Sequence, residues 1–140
     1  VQHFSKGVDE VEFLLSANPG EPLKPMASIA SGGEMSRIML AIKTVFQDQN
    51  PVATLVFDEI DTGISGETAQ KVSNHLKKLS NHKQIICITH LPQIAKKADR
   101  HLHITKSVKD SHTSVNAEYL DGDFSKEVIN NLFIGDEVIA

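Results

Sequence analysis

Three short segments carry residue types suited to the chemistry of a nucleoside triphosphate. Ala30-Ser31-Gly32-Gly33-Glu34-Met35-Ser36-Arg37 offers bare backbone N–H groups. Val52-Ala53-Thr54-Leu55-Val56-Phe57-Asp58-Glu59 ends an apolar run on two adjacent carboxylates, and Ile85-Ile86-Cys87-Ile88-Thr89-His90 ends another on a histidine. Glycines let a backbone approach a ligand closely. A helix N-terminus presents unpaired N–H groups at the positive end of its dipole. The Ser31 hydroxyl adds a hydrogen bond to a phosphate or caps the helix, with Glu34 completing a capping box three residues on. A capped helix after a flexible turn accounts for the same residues.

The Asp58-Glu59 pair lies where α/β proteins bind ligands, at the carboxyl edge of a sheet. Neighbouring strand residues point to opposite faces, which predicts different tasks for the two acids. Asp58 is the candidate for Mg²⁺, held through water, and Glu59 the group that polarises an attacking water. General-base assistance of this kind is typically worth ~10²–10⁴ in rate. An acidic strand end that is merely solvated is the plainer explanation. His90 shares that edge if the two strands are parallel, and from there it can bond a terminal phosphate and sense its loss. An ordinary strand-end histidine is again the alternative. What favours one site is the combination: three segments, in order, each at a predicted element boundary.

The other chemically able residues are weaker candidates. Arg37 and Lys43 follow the glycine pair; only Arg37 is near enough to the loop to reach a nucleotide, and a polar helix face explains both. Lys71, Lys77, Lys78 and Lys83 read as a solvated helix flank. Cys87 reads as core. His101 and His103 share one strand face without a third ligand and are expected at the surface.

The elements that position these groups follow from periodicity. Val11 to Leu15 is rich in strand formers and stops at the Ala17-Asn18-Pro19-Gly20 turn cluster. A proline-rich loop leads to the glycine pair. Met35, Ile38, Met39, Ile42, Val45 and Phe46 have helical spacing, as do Ala69, Val72, Leu76 and Leu79. The continuous apolar runs at Ala53–Phe57 and Ile85–Ile88 predict parallel strands buried on both faces. Pro92 suits the first turn of a short helix running through Ala95 and Ala98. Alternation at 101–104 and 113–119 predicts a hairpin, and 124–133 a final helix. Strands alternating with helices define an α/β fold: a parallel-sheet lobe with flanking helices and a C-terminal hairpin.

A chain of 140 residues suffices for one domain with a real core. Its net charge of −4 argues against a broad basic nucleic-acid surface on this piece. One cysteine allows no disulfide framework. No apolar run approaches the length of a membrane span, and no signal-peptide pattern opens the chain, so a cytoplasmic location is expected. No Gly-x-x-x-x-Gly-Lys-Ser/Thr loop occurs in the sequence, so the main phosphate cradle is expected elsewhere. Val1 and Ala140 are expected to be cut points within a longer protein.

Taken together, Ser31-Gly32-Gly33-Glu34 resembles the signature motif of ABC-type ATPases. Leu55-Val56-Phe57-Asp58-Glu59 resembles their Walker B strand with its catalytic glutamate, and Thr89-His90 their switch histidine. Ile60-Asp61 after Glu59, in place of the Pro-Thr usual in transporters, resembles the SMC branch. Within it, residues 27–41, 57–66 and 88–95 are similar to the RecN family of bacterial DNA-repair proteins, as is the 17–23 loop. The likeness runs from about Val8 to His103. It implies that residues 1–140 form one domain, the C-terminal lobe of an ATPase head split by a long coiled coil, with the Walker A loop in the N-terminal lobe. It implies ATP and Mg²⁺ as cofactors, with catalytic roles for Glu59 and His90 and nucleotide contacts from Ser31, Gly32, Gly33, Glu34, Asp58 and Ser65. Ser65 stands where most relatives carry the D-loop aspartate.

The implied partners are the N-terminal Walker A lobe, a second head in a homodimer, and DNA through the full-length protein, with no membrane. ATP would join two heads, Ser31 and Gly33 of one closing over the γ-phosphate held by the other. The whole protein would then hydrolyse ATP in double-strand-break repair, near the nucleoid, while this piece alone would be inactive. Another SMC-like chromosome-maintenance ATPase and a nonenzymatic interaction module are the alternatives.

Overall fold

The computed structural model describes residues 7–9, 11–16, 19–28, 31–49, 51–109 and 112–134. Ala17, Asn18, Ile29, Ala30 and the Val138–Ala140 end, named above from the sequence, lie outside these. The chain divides into two compact units, Val1–Ser31 and Gly32–Ala140.

In the first unit the predicted strand narrows to β1 (Leu14–Leu15), paired antiparallel with β2 (Lys24–Pro25). The Met26 N–H donates to Phe13 O at 2.8 Å, and the Ser28 hydroxyl to Pro25 O at 2.7 Å. The first bond extends the β1–β2 pairing, and the second spans a short turn of 3₁₀ helix at Met26–Ser28.

The second unit opens with α1 (Gly32–Val45), followed by β3 (Thr54–Phe57), α2 (Gly66–Ser80) and β4 (Gln84–Cys87). β3 and β4 pair in parallel from Thr54↔Gln84 to Phe57↔Cys87, with α2 as the crossover. The face predicted for α2 is the one it buries: Ala69, Val72, Leu76 and Leu79, with Ser73 between them. Val72, Leu76 and Leu79 close a core with Leu40, Phe57, Ile60 and Ile94, and Leu55, Ile85 and Cys87 pack against it. Pro92 opens α3 (Pro92–Ala95), its missing N–H being one the first helical turn leaves unused anyway. The predicted hairpin and final helix form as β5 (Leu102–Lys109), β6 (His112–Tyr119) and α4 (Gly122–Ile134), but β5 runs five residues past the 101–104 stretch that alternation marked.

Three expectations are corrected. β3 and β4 are covered on one face only: Val56 and Ile86, paired across the ladder, remain 63% and 48% exposed. Helices cover the Leu55, Phe57, Ile85 and Cys87 side, and among the described residues Val56 and Ile86 are left largely uncovered on the other. The apolar stripe of α1 is likewise not its core face, since the buried members are Gly33 and Leu40. Phe46 lies just past the end of the helix, and both it and Val45 stay exposed. Finally, His103 is half-buried rather than at the surface, and so is His101. His101 Nε2 lies 2.8 Å from Ala95 O, which can only accept, so Nε2 carries the proton and Nδ1 accepts from the Ser125 hydroxyl at 2.6 Å. The ring ties the end of α3 to α4.

Candidate functional site

The two parallel strands deliver their ends side by side. Beyond the last paired rung, Ile88 N–H still donates to Phe57 O at 2.9 Å. Asp58 therefore leaves β3 next to the segment that leads through Ile88 and Thr89 to His90. Asp58 and His90 do reach one edge of the sheet.

Asp58 is exposed, and its Oδ1 accepts the Glu59 N–H at 2.9 Å. Its other carboxylate oxygen is available to a ligand. Glu59 has φ 57°, in the left-handed region, which residues with a β-carbon rarely adopt. This sharp turn separates the two carboxylates; strand alternation, the expected cause, ends at Phe57. The chain then folds inward. Ile60 is completely buried and Asp61 is 4% exposed, while the Thr62 N–H returns to Glu59 O at 3.0 Å. Gly63 (φ 74°) and Gly66 (φ 52°) supply the left-handed turns that lead into α2. Ser65, just before α2, is extended and exposed, and its hydroxyl does not cap the helix.

The start of α1 is pressed onto this loop. The Ser36 hydroxyl donates to Asp58 O at 2.8 Å. Arg37 Nη1 donates to Ile60 O at 3.1 Å and to Thr62 O at 2.9 Å. The guanidinium considered for a nucleotide contact is thus committed to the loop's own carbonyls. Gly33 is buried, and a β-carbon there would stand 2.8 Å from Thr62 O, 2.9 Å from Glu59 O and 2.9 Å from Arg37 Nη1. At Gly32 a β-carbon would fall on Glu59 Oε2. Both glycines permit a close approach, in this case to the Glu59–Thr62 loop of the same chain. Glu34 lies exposed in the first turn of α1. Ser31 is the last residue of the first unit.

His90 is anchored by an acid whose only role in the sequence was as a family marker. Asp61 Oδ2 accepts the Thr89 hydroxyl at 2.5 Å and the His90 N–H at 2.9 Å, and lies 3.2 Å from His90 Nδ1. The Leu91 N–H in turn donates to Thr89 Oγ1 at 3.1 Å. Burial pushes the Asp61 carboxyl upward. The Thr89 hydroxyl, the His90 N–H and the nearby His90 ring outweigh it, so its pKa lies below the ordinary carboxylate value. The His90 side chain stays 74% exposed, tethered on one edge and open on the other. The Cys87 thiol is pushed up to about 12, chiefly by burial and further by the charges of Asp61 and Asp58. It is a neutral core group, as expected.

Spacing alone gave no sign of Asp61's part, because an acid three residues after Asp58 would ordinarily be solvated. The one available cue was its place beside the apolar Ile60. Among the described residues no group of three or more His, Cys, Asp or Glu side chains could hold a metal. Mg²⁺ commonly keeps several waters and uses one or two carboxylates plus substrate phosphates. The lone, exposed Asp58 carboxylate fits that kind of site rather than an all-protein cage.

The chain is similar to known proteins over most of its length. Residues 25–113 match the RecF/RecN/SMC N terminal domain family. The DNA repair protein RecN of Treponema pallidum (strain Nichols) is 52% identical over 130 residues, 93% of this chain and 23% of that protein. RecN of Bacillus subtilis (strain 168) is 46% identical over 138 residues, 99% of this chain and 24% of that protein. The chain thus spans about a quarter of the length of these curated relatives. Among solved structures, the Smc head domain with a coiled coil and joint from Pyrococcus yayanosii superposes with TM-score 0.58 at 23% identity, covering 84% of this chain and 25% of that one. An SMC ATPase structure from work on ATP-driven dimerization and DNA-stimulated activation gives TM-score 0.54 at 23% identity, covering 86% and 79%. At that identity the likeness shows a shared fold.

Proposed function

The chain belongs to the RecF/RecN/SMC N-terminal domain family, and from that premise we propose that it is the C-terminal lobe of a split ATPase head in a RecN-like DNA double-strand-break repair and recombination protein. The observation that carries this reading is the meeting of Asp58, the Glu59 turn and His90 at the carboxyl edge of β3 and β4, with His90 tethered to the same loop through Asp61.

In this reading Glu59 polarises the attacking water, and His90 meets the terminal phosphate. Asp58 would hold Mg²⁺, through water, and the ion would supply positive charge against the negative charge of the phosphates. Ser31, Gly32, Gly33 and Glu34 form the lid that one head offers to the nucleotide held by a second copy. Ser65, exposed just before α2, is a further nucleotide contact in this reading. The phosphate cradle comes from an N-terminal Walker A lobe. The uncovered Val56 and Ile86 face of the sheet supports a further layer of protein there, since an apolar sheet face is ordinarily buried. DNA is engaged by the full-length protein. RecN names among the relatives favour this over another SMC-like chromosome-maintenance ATPase. The alternative of a nonenzymatic module predicts no turnover at all.

The test is Mg²⁺-dependent ATP turnover by the full-length protein. Turnover should vanish in Glu59→Gln while the ATP-joined dimer lasts longer on a sizing column. Ser31→Arg should block head joining and leave ATP binding by single heads intact. The 140-residue chain alone should not turn over ATP. Undiminished turnover in Glu59→Gln would show that another group polarises the water.

A further inference from the structure

We infer that Asp61 is a positioning residue for His90: it fixes which ring nitrogen carries a proton toward the protein and which one faces the nucleotide. The inference rests on the reading that His90 meets the phosphate, and it adds a member to the site that the three sequence motifs do not contain.

Two hydrogen bonds and one close charge contact converge on one oxygen. Asp61 Oδ2 accepts from the Thr89 hydroxyl and the His90 N–H, with His90 Nδ1 at 3.2 Å. A carboxylate oxygen that close repels a bare ring lone pair, so the charge contact favours the hydrogen on Nδ1. Nε2 is then the ring atom left for a ligand. The arrangement has the form of an acid behind a histidine, in which the acid selects the tautomer and holds the ring plane. The carboxylate is also placed to balance the charge the ring carries when Nε2 is protonated and donates to a phosphate oxygen.

The anchor is better built than a chance contact on the surface. Asp61 is 4% exposed while the His90 side chain is 74% exposed, so the fixed partner is the acid. It is held in place by the loop between β3 and α2, whose carbonyls at Ile60 and Thr62 accept from Arg37 Nη1. The same oxygen holds the His90 backbone by a hydrogen bond and lies against its ring. A shift in the loop that bears Glu59 therefore moves the His90 ring with it, which links the water-polarising group to the phosphate-sensing one.

The experiment is a double-mutant cycle on full-length protein, with Asp61→Asn, His90→Ala and the pair. Acting through His90, Asp61→Asn should lower kcat for ATP by about tenfold, the scale of lost outer-shell partners, with KM nearly unchanged. In the His90→Ala background the same substitution should cost no further rate. An equal loss in both backgrounds would mean that Asp61 serves the fold alone, and would overturn the assignment. Should Asp61→Asn fail to fold, the ring itself decides. With ¹⁵N-labelled histidine, and the His90 signals identified by their loss in His90→Gln, Nδ1 should be protonated in the unsubstituted protein; an unprotonated Nδ1 overturns the proposal. Absence of ATP turnover in the unsubstituted protein would instead overturn the reading of the site, and the ring measurement would still judge the hold of Asp61 separately.

Discussion

The Glu59 carboxylate lies over Gly32, in the space a β-carbon at that position would need. The first glycine of the pair thus makes room for a side chain, and the second makes room for backbone at Glu59 O and Thr62 O. A side-chain end can swing away, and a loop fixed by Arg37 and Ser36 cannot easily do so.

Substitutions at the two glycines should therefore separate. Gly33→Ala should destabilise the protein by about 1–3 kcal/mol, the usual cost of overpacking. Gly32→Ala should leave the melting temperature close to its starting value while displacing Glu59 and reducing ATP turnover. Equal melting temperatures for both variants would count against this difference in packing.

The left-handed turn at Glu59 sets stability against use. Replacement by glycine removes the strain of a β-carbon at φ 57°, worth about 1 kcal/mol. Glu59→Gly should raise the melting temperature by a few degrees and abolish turnover. Glu59→Gln keeps the β-carbon and should show the same loss of turnover without the gain. Thermal unfolding of the two variants side by side checks this.

Arg37 holds two loop carbonyls with one nitrogen. Arg37→Met keeps much of the aliphatic stem but leaves both carbonyls without that donor. The expected cost is about 1.5–3 kcal/mol, as for a hydrogen bond from a charged group. Urea unfolding should show it, and a loss confined to Arg37→Ala would assign the stability to packing instead.

Asp61 has a folded-state pKa below its unfolded value. The stability it contributes is present above the ordinary carboxylate range, and it is lost as pH falls through that range toward the lower folded value. Melting temperatures followed from pH 6 downward should decline more steeply in the unsubstituted protein than in Asp61→Asn. Parallel curves would show that the carboxylate gains nothing from the Thr89 hydroxyl, the His90 N–H and the His90 ring.

The open sheet face gives a last prediction. Val56→Asp should leave the 140-residue chain no less soluble, because Val56 is already exposed there. In a two-piece preparation the same change should weaken capture of the N-terminal lobe, measured by co-purification. Undiminished capture would place the joining surface elsewhere.

Much of this was readable along the chain. The α2 face at Ala69, Val72, Leu76 and Leu79, the proline at the head of α3, and the hairpin at 102–119 followed from periodicity and turn chemistry, which are local. So did the ends of β3 and β4, which put Asp58 and His90 at element boundaries. The faces that are covered were not readable, because burial depends on which layer arrives from elsewhere. Val56 and Ile86 look like core in the sequence and are bare in the structure. The stripe from Met35 to Val45 likewise gave way to Gly33 and Leu40.

The sequence by itself determined the order of the chemical groups and the kind of element each one ends. Only the tertiary structure decided that Asp61 is buried behind His90, that Arg37 is committed to Ile60 O and Thr62 O, and that Glu59 turns back over Gly32. The reason is range: helix and strand periodicity act over a few residues, while each of those contacts joins segments more than 20 positions apart. Contacts at that separation form only once β3 and β4 lie parallel and α1 has docked on the loop between them.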